Sequence, residues 1–301
     1  MLRELVRVAP EVRDRFVVRF GSDVLGWCDG LPGLVHELAA RWKLDLVAAG
    51  GGGTSRVFRC VRRDTGASVW LKLTPQPLVA REEAEALRAW ADVPSVVNVL
   101  AADLARGALL LEDVEPGVPV RQVAWEVPEV AGLLRDLRVS PLVPGEHSVL
   151  RPLSHRIDFL FDLTERRLAA ARRSGVVSPT VLGRARGAAL ELAGSGPVRL
   201  VHGDLHPANV LSGPGARMVA IDPRPAWGDP DFDTVDWVLE GVADPATLER
   251  RIEELAALVP DMSPRRVLGW CRALAALIAV PGVCAGRDDA EIRFLMALAG
   301  G

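Results

Sequence analysis

Before Pro116-Gly117 this chain strings together short apolar runs and turn signals; beyond it, long stretches of helical period take over. That ordering admits few architectures. Leu44 to Val47, Val57 to Val61 and Ser68 to Leu73 read as strands. Gly50-Gly51-Gly52-Gly53 stands between the first two, and Asp64-Thr65-Gly66 turns the second into the third. Ala80 to Trp90, dense in Ala, Leu, Glu and Arg, reads as a helix, and Val96 to Leu100 and Ala108 to Leu111 supply two more strands. Ahead of them residues 1 to 45 read as helical, with Leu34, Leu38 and Trp42 at four-residue spacing. After the break, Arg121 to Val139, Ser154 to Ser174, Val181 to Ala193, Pro245 to Val259, Pro264 to Val280 and Asp288 to Ala299 are helix candidates. They surround one island of strand and loop, Val198 to Asp233. The expectation is an α+β protein in two parts. Residues 1–114 form a helical segment plus a small antiparallel sheet crossed by one helix; residues 115–301 are mostly helical. Ser140 to Ser154, with Pro141, Pro144, Gly145 and Pro152, is the segment expected to move most.

Charge and cysteine usage narrow the class. A net charge of −3 and a pI near 6.0 do not suit a face that grips nucleic acid. Apolar runs are interrupted by Arg, Asp or Gly short of 18 residues, so no bilayer span is expected, and Met1 to Phe20 carries Arg and Glu where a secretory signal would be apolar. Cys28, Cys60, Cys271 and Cys284 show no CxxC pairing and read as buried thiols in a reducing compartment, hence a cytoplasmic protein. Among 36 basic residues only Lys43 and Lys72 are lysines. Where arginine is so favoured, a surviving lysine marks a position that arginine would not serve, or chance.

The densest chemistry lies in Val201-His202-Gly203-Asp204-Leu205-His206-Pro207-Ala208-Asn209-Val210-Leu211, followed by Val219-Ala220-Ile221-Asp222-Pro223. An Asp five residues before an Asn, then a strand ending in a second Asp, can gather three oxygen donors about one point. Phosphoryl transfer uses such a grouping: one carboxylate receives or orients the attacking hydroxyl, while a carboxamide oxygen and a second carboxylate hold magnesium against the phosphates. A transition-metal site from His202, Asp204 and His206 is the competing arrangement. It lacks a further nearby histidine, His147 and His155 standing about fifty residues away, and leaves Lys72 and the glycine run without a part.

His202 to Leu211, with Ala220-Ile221-Asp222-Pro223-Arg224-Pro225 running on to Gly228-Asp229-Pro230-Asp231-Phe232-Asp233, resembles the aminoglycoside phosphotransferase family and its bilobal, protein-kinase-like fold. The likeness is greatest to the branch of streptomycin 6-kinases and hydroxyurea phosphotransferases. Fainter echoes are Leu31-Pro32-Gly33-Leu34-Val35, Arg41-Trp42 and Leu87-Arg88-Ala89-Trp90. The resemblance implies ATP and Mg²⁺ as cofactors, Asp204 as catalytic base, and Asn209 and Asp222 as metal ligands. It implies that Lys72 contacts the α and β phosphates, held by a helix carboxylate. Glu82, Glu83 and Glu85 compete for that part; the family's glutamate stands four residues before the leucine here numbered 87, which favours Glu83. Gly52, Gly53, Thr54 and Ser55 fall where a phosphate-covering loop belongs, although flexible glycines also make ordinary hairpins. The Glu112 carbonyl and the Val114 amide would pair with adenine. His202, Asp229 and Asp233 are expected to brace the loop, and Trp227 and Trp237 to pack in the core or a cleft wall.

The acceptor is the least defined part. Residues 199–254 hold eleven acids against five arginines, a local charge of −6 that suits a cationic aminoglycoside, with Asp231, Asp236 and Glu240 as candidate contacts. Several of those acids serve metal or loop, and others read as a solvated helix face. There is no Asp-Phe-Gly or Ala-Pro-Glu, and Gly203 stands where protein kinases carry Arg, which argues against a protein substrate and against activation-loop phosphorylation control. The expectation is a monomeric, Mg²⁺- and ATP-dependent O-phosphotransferase with streptomycin as lead acceptor. The alternatives are hydroxyurea or another sugar or amino alcohol, and, in a different class, a nucleotide-binding pseudokinase.

Overall fold

The computed structural model describes residues 5–51, 54–139, 148–173 and 175–300. They divide into two compact units, one comprising residues up to Ala91 with Val97–Val114, the other Asp92–Val96 with Glu115–Gly301.

In the first unit, helices α1 (Pro10–Phe20) and α2 (Val24–Arg41) precede five strands: β1 (Leu44–Gly50), β2 (Arg56–Arg62), β3 (Ser68–Leu73), β4 (Val99–Asp103) and β5 (Ala108–Glu112). Helix α3 (Pro77–Ala89) lies between β3 and β4 in sequence. The sheet is antiparallel throughout, in the order β1-β2-β3-β5-β4. Alternation decides what faces the core: Phe58 and Cys60 of β2 with Val69, Leu71 and Leu73 of β3 pack against Phe16, Leu31, Val35 and Leu38 of α1 and α2. Lys43 follows α2 at φ 55°, the left-handed stop of a helix, which ends the helical segment before β1. Pro77 sits in the first turn of α3, where its missing N–H costs nothing, so the helix opens three residues before the expected Ala80. The strand expected at Val96 starts instead at Val99: Ser95 accepts the Ala220 amide at 2.8 Å, and Val96 bridges Ala220, so this segment is drawn into the second unit.

The second unit holds α4 (Val127–Arg138), α5 (Leu153–Ala170), α6 (Pro179–Ser195), the short α7 (Val235–Leu239), α8 (Pro245–Leu258), α9 (Pro264–Cys284) and α10 (Ala290–Gly300). Helix α4 begins later than expected because Glu126 and Glu129 form a capping box and Pro128 occupies the first turn. Within the island are two ribbons: β6 (Arg199–Val201) pairs with β9 (Ala226–Gly228), and β7 (Val210–Ser212) with β8 (Met218–Ala220). By length and composition alone α9 could cross a membrane. Its Val267, Trp270, Cys271, Ala275, Ala276 and Val280 are buried among α5, α6, α7, α8 and α10, so its apolar surface is the core of this unit. All four cysteines are free thiols, and Cys28, Cys60 and Cys271 are buried. Residues 140–147 of the segment expected to move, and Gly52 and Gly53, lie outside the described residues.

Candidate active site

Both ribbons of the second unit converge on one loop. Strand β6 delivers His202, Gly203 and Asp204; a 3-10 turn, Pro207–Asn209, then delivers Asn209 into β7. Strand β8 ends at Ala220, opposite Val210, so Asn209 and Ile221 are neighbours across the ladder, joined by Ile221 N–H to the Asn209 carbonyl at 2.9 Å. Asp222, at φ 57°, follows directly. The fold therefore brings Asp204, Asn209 and Asp222 together. The Asn209 Nδ2 donates to the Asp204 carbonyl at 3.0 Å and to its Oδ2 at 3.2 Å, which turns the amide oxygen of Asn209 away from the aspartate. That oxygen and the Asp222 carboxylate are hard donors of the kind magnesium takes. Arg224 pairs with Asp222 Oδ1 at 2.8 Å.

Gly203 has φ 74°, and a Cβ there would collide with the Arg224 carbonyl, so the glycine in place of arginine is a steric requirement. His202 is fully buried: its Nε2 lies 3.1 Å from the Ile221 carbonyl and its Nδ1 accepts the Asp204 amide at 3.4 Å. Burial lowers its pKa to about 4, so it is neutral near pH 7 and braces the loop. Burial would push the Asp204 carboxyl up, but Arg156, His206 and Arg224 outweigh it and hold the group below its ordinary value. Asp204 is thus an ionised acceptor at pH 7, the form in which it can receive a hydroxyl.

In the first unit, Lys72 of β3 places its Nζ 2.6 and 2.7 Å from the two oxygens of Glu83 on α3. Lys72 is 5 % exposed and Glu83 1 %. Ser55 is buried, the Thr54 carbonyl accepts Thr74 Oγ1 at 3.3 Å, and a Cβ on Gly51 would lie 2.7 Å from the Ser55 carbonyl, so Gly51 and Ser55 lie close together. The Glu112 side chain is committed to Asn98, accepting its backbone N–H at 2.9 Å and its Nδ2 at 3.0 Å.

A family model for aminoglycoside/hydroxyurea antibiotic resistance kinases matches residues 41–283. The chain belongs to that family. It is 29% identical over 280 residues to the streptomycin 6-kinase of Streptomyces glaucescens, a match covering 89% of this chain and 88% of that one. It is 35% identical over 220 residues to the hydroxyurea phosphotransferase of Kitasatospora aureofaciens, covering 71% of this chain and 62% of that protein. Its fold is similar to that of the choline kinase LicA from Streptococcus pneumoniae, with a TM-score of 0.59 at 16% identity, covering 89% and 98% of the two chains. The resemblance read from His202 to Asp233 therefore holds, and with it a protein-kinase-like α+β fold and a phosphotransferase activity.

In this kinase the fold takes Asp231 away from the acceptor for which its place in the acidic stretch suggested it. It is 1 % exposed, with Oδ1 held by Arg138 at 2.9 Å and Oδ2 by the Ser263 amide at 3.1 Å, so both oxygens serve the fold and no acceptor contact remains for it. Asp236 is half-buried and close enough to Asp204, His206, Glu240 and Arg156 to feel their charges; burial first, then Asp204 and Glu240, raise its pKa to about 6 against the pull of His206 and Arg156. Glu240 is exposed. Asp229 is fully buried and ties Trp270 Nε1 and the Arg266 guanidinium while capping the turn at Asp231. Arg156, Arg138 and Arg266, each on a distant helix, had no local signal in a chain so rich in arginine.

Asp233 accepts the backbone amides of His202 at 2.6 Å and Gly203 at 2.8 Å, fixing the entry to the loop. Burial raises its pKa to about 7 although those two amides pull it down. Its folded value lies above the unfolded one, so the folded chain binds the extra proton between about pH 4 and 7, and the stability this contributes is lost as pH rises through that window. The neutral Asp233→Asn variant lacks this titration. The difference in unfolding free energy, wild type minus variant, is expected to fall between pH 5 and 7 and flatten above, with a slope of at most about 1.4 kcal/mol per pH unit. A constant difference measured by thermal unfolding would show that Asp233 stays ionised throughout.

Proposed function

We propose that this kinase transfers the γ-phosphoryl group of ATP, with Mg²⁺, to a hydroxyl of a small cationic acceptor, with streptomycin as the lead. The observation that carries the reading is the Asp204–Asn209–Asp222 grouping on converging ribbons, in a chain of this family. Asp204 Oδ2 would orient the acceptor hydroxyl and take its proton as the bond to phosphorus forms. The Asn209 amide oxygen and the Asp222 carboxylate would hold Mg²⁺, which when bound neutralises charge on the phosphates. Lys72, pinned by Glu83, would carry the α and β phosphates as a compact point charge. The backbone about Thr54 and Ser55 would cover the phosphates. Adenine would pair with the Glu112 carbonyl and with the Val114 amide, which has no hydrogen-bond partner among the described residues. Asp236 and Glu240 would receive the positive groups of the acceptor, being the acids of the α7 region not consumed by the fold.

The similarity to a streptomycin 6-kinase over nearly the whole chain favours the aminoglycoside, and that to a hydroxyurea phosphotransferase keeps hydroxyurea as the second acceptor. A coupled assay of ADP release with streptomycin, other aminoglycosides, hydroxyurea and simple amino alcohols tests the reading. Mg²⁺-dependent turnover is expected, highest with streptomycin. Nucleotide binding without turnover on any acceptor would point to a pseudokinase instead.

A further inference from the structure

The loop from His202 to Asn209 contains no lysine or arginine, so a fixed positive charge at the Asp204 carboxylate has to come from elsewhere in the fold. It comes from α5. Arg156 donates Nε–H to the Gly203 carbonyl at 3.0 Å and an Nη2–H to Asp204 Oδ1 at 2.8 Å, with its side chain 11% exposed. One planar guanidinium thus grips a backbone oxygen and the carboxylate of the next residue. A rigid fork of that kind sets the rotation of the carboxylate relative to its own backbone, which a single flexible ammonium could not do. The opposite oxygen, Oδ2, lies against Asn209 Nδ2 at 3.2 Å and is the one left for a hydroxyl. Arg224 pairs with Asp222 Oδ1 at 2.8 Å.

The helix that carries Arg156 is itself anchored to the ribbon that leads into the loop. Trp227 of β9 donates its N–H to the Arg151 carbonyl at 2.9 Å, and Pro152 bridges Trp227. Gly228 lies so near Leu153 that a Cβ there would collide with it, so the absence of a side chain lets α5 start directly on β9. The Phe159 ring, 5.7 Å from the guanidinium carbon, supports it from the next turn of the helix.

We infer that Arg156 is a positioning residue for phosphoryl transfer, acting through Asp204 by holding Oδ1 so that Oδ2 meets the acceptor hydroxyl. This rests on the reading of Asp204 as the base, and the test separates the two. Arg156→Lys keeps the charge and loses the fork. With the acceptor that turns over in the ADP-release assay, kcat is expected to fall about 30-fold, with the KM for ATP within about twofold, as for a misplaced reacting group. In an Asp204→Asn background the same substitution is expected to change residual kcat less than about threefold, because no carboxylate remains to be positioned. Equal losses in both backgrounds would make Arg156 a structural brace, and an Arg156→Lys variant within twofold of wild type would also overturn the proposal. Full activity in Asp204→Asn alone would overturn the base reading instead. Should the lysine variant fail to fold by its Tm, Arg156→Gln, which can still donate to the Gly203 carbonyl, serves the same cycle.

Discussion

Asp204→Asn will lower turnover by roughly 10²–10⁴ and leave nucleotide affinity within about twofold, the effect of losing a positioned general base. The carboxamide occupies the same space, and its oxygen can still accept from Arg156, which now holds Oδ1 at 2.8 Å. What it cannot do is accept a proton at the second position, where an NH₂ would stand against Asn209 Nδ2. Asp222→Ala should behave differently, abolishing Mg²⁺-dependent nucleotide binding, since Asp222 is proposed to hold the metal and not the hydroxyl. Steady-state ADP release and nucleotide titrations with and without Mg²⁺ distinguish them. Similar profiles for the two variants would dissolve the division between base and metal ligand.

Lys72→Arg is expected to cost about 10²-fold in kcat/KM for ATP, although the charge is unchanged. The Lys72 ammonium sits within 2.6 and 2.7 Å of both Glu83 oxygens in a place where lysine and glutamate are almost wholly buried. A guanidinium is wider and planar; it would push α3 from β3 or turn away from the phosphates, and a displacement near 1 Å can cost about 10²-fold. Lys43→Arg is the control: Lys43 is exposed just beyond α2, 3.8 Å from Asp64, where such a change is worth within about 0.5 kcal/mol. Wild-type kinetics in Lys72→Arg would remove the argument that shape preserved this lysine.

The acidic count over residues 199–254 shows why charge totals read from a sequence mislead about substrates. Asp229, Asp231 and Asp233 belong to that count, and all three are buried and hydrogen-bonded to arginines, a tryptophan or backbone amides. Asp236 and Glu240 are the two proposed to meet a cationic acceptor, a smaller field than the local charge of −6 suggested. Spacing along the chain could not tell an acid that holds a loop from one that meets a ligand, because their partners, Arg138 and Arg266, lie on distant helices.

Local order was legible where adjacent residues decide it. Turn glycines, the 3.6-residue and two-residue periods and the contiguous run from His202 to Asp222 act over a few residues, so the helices, the sheet strands, the loop and the family could be read directly. Element ends moved wherever a cap or a partner intervened, as at the Glu126–Glu129 box and at Ser95, captured by Ala220. Only the tertiary structure chose Glu83 by contact, required glycine at 203 through the Arg224 carbonyl, and brought Arg156 across 48 positions to Asp204. Those choices depend on which surfaces meet once helices pack on ribbons, and an arginine on a helix face carries no mark of its future neighbour until they do.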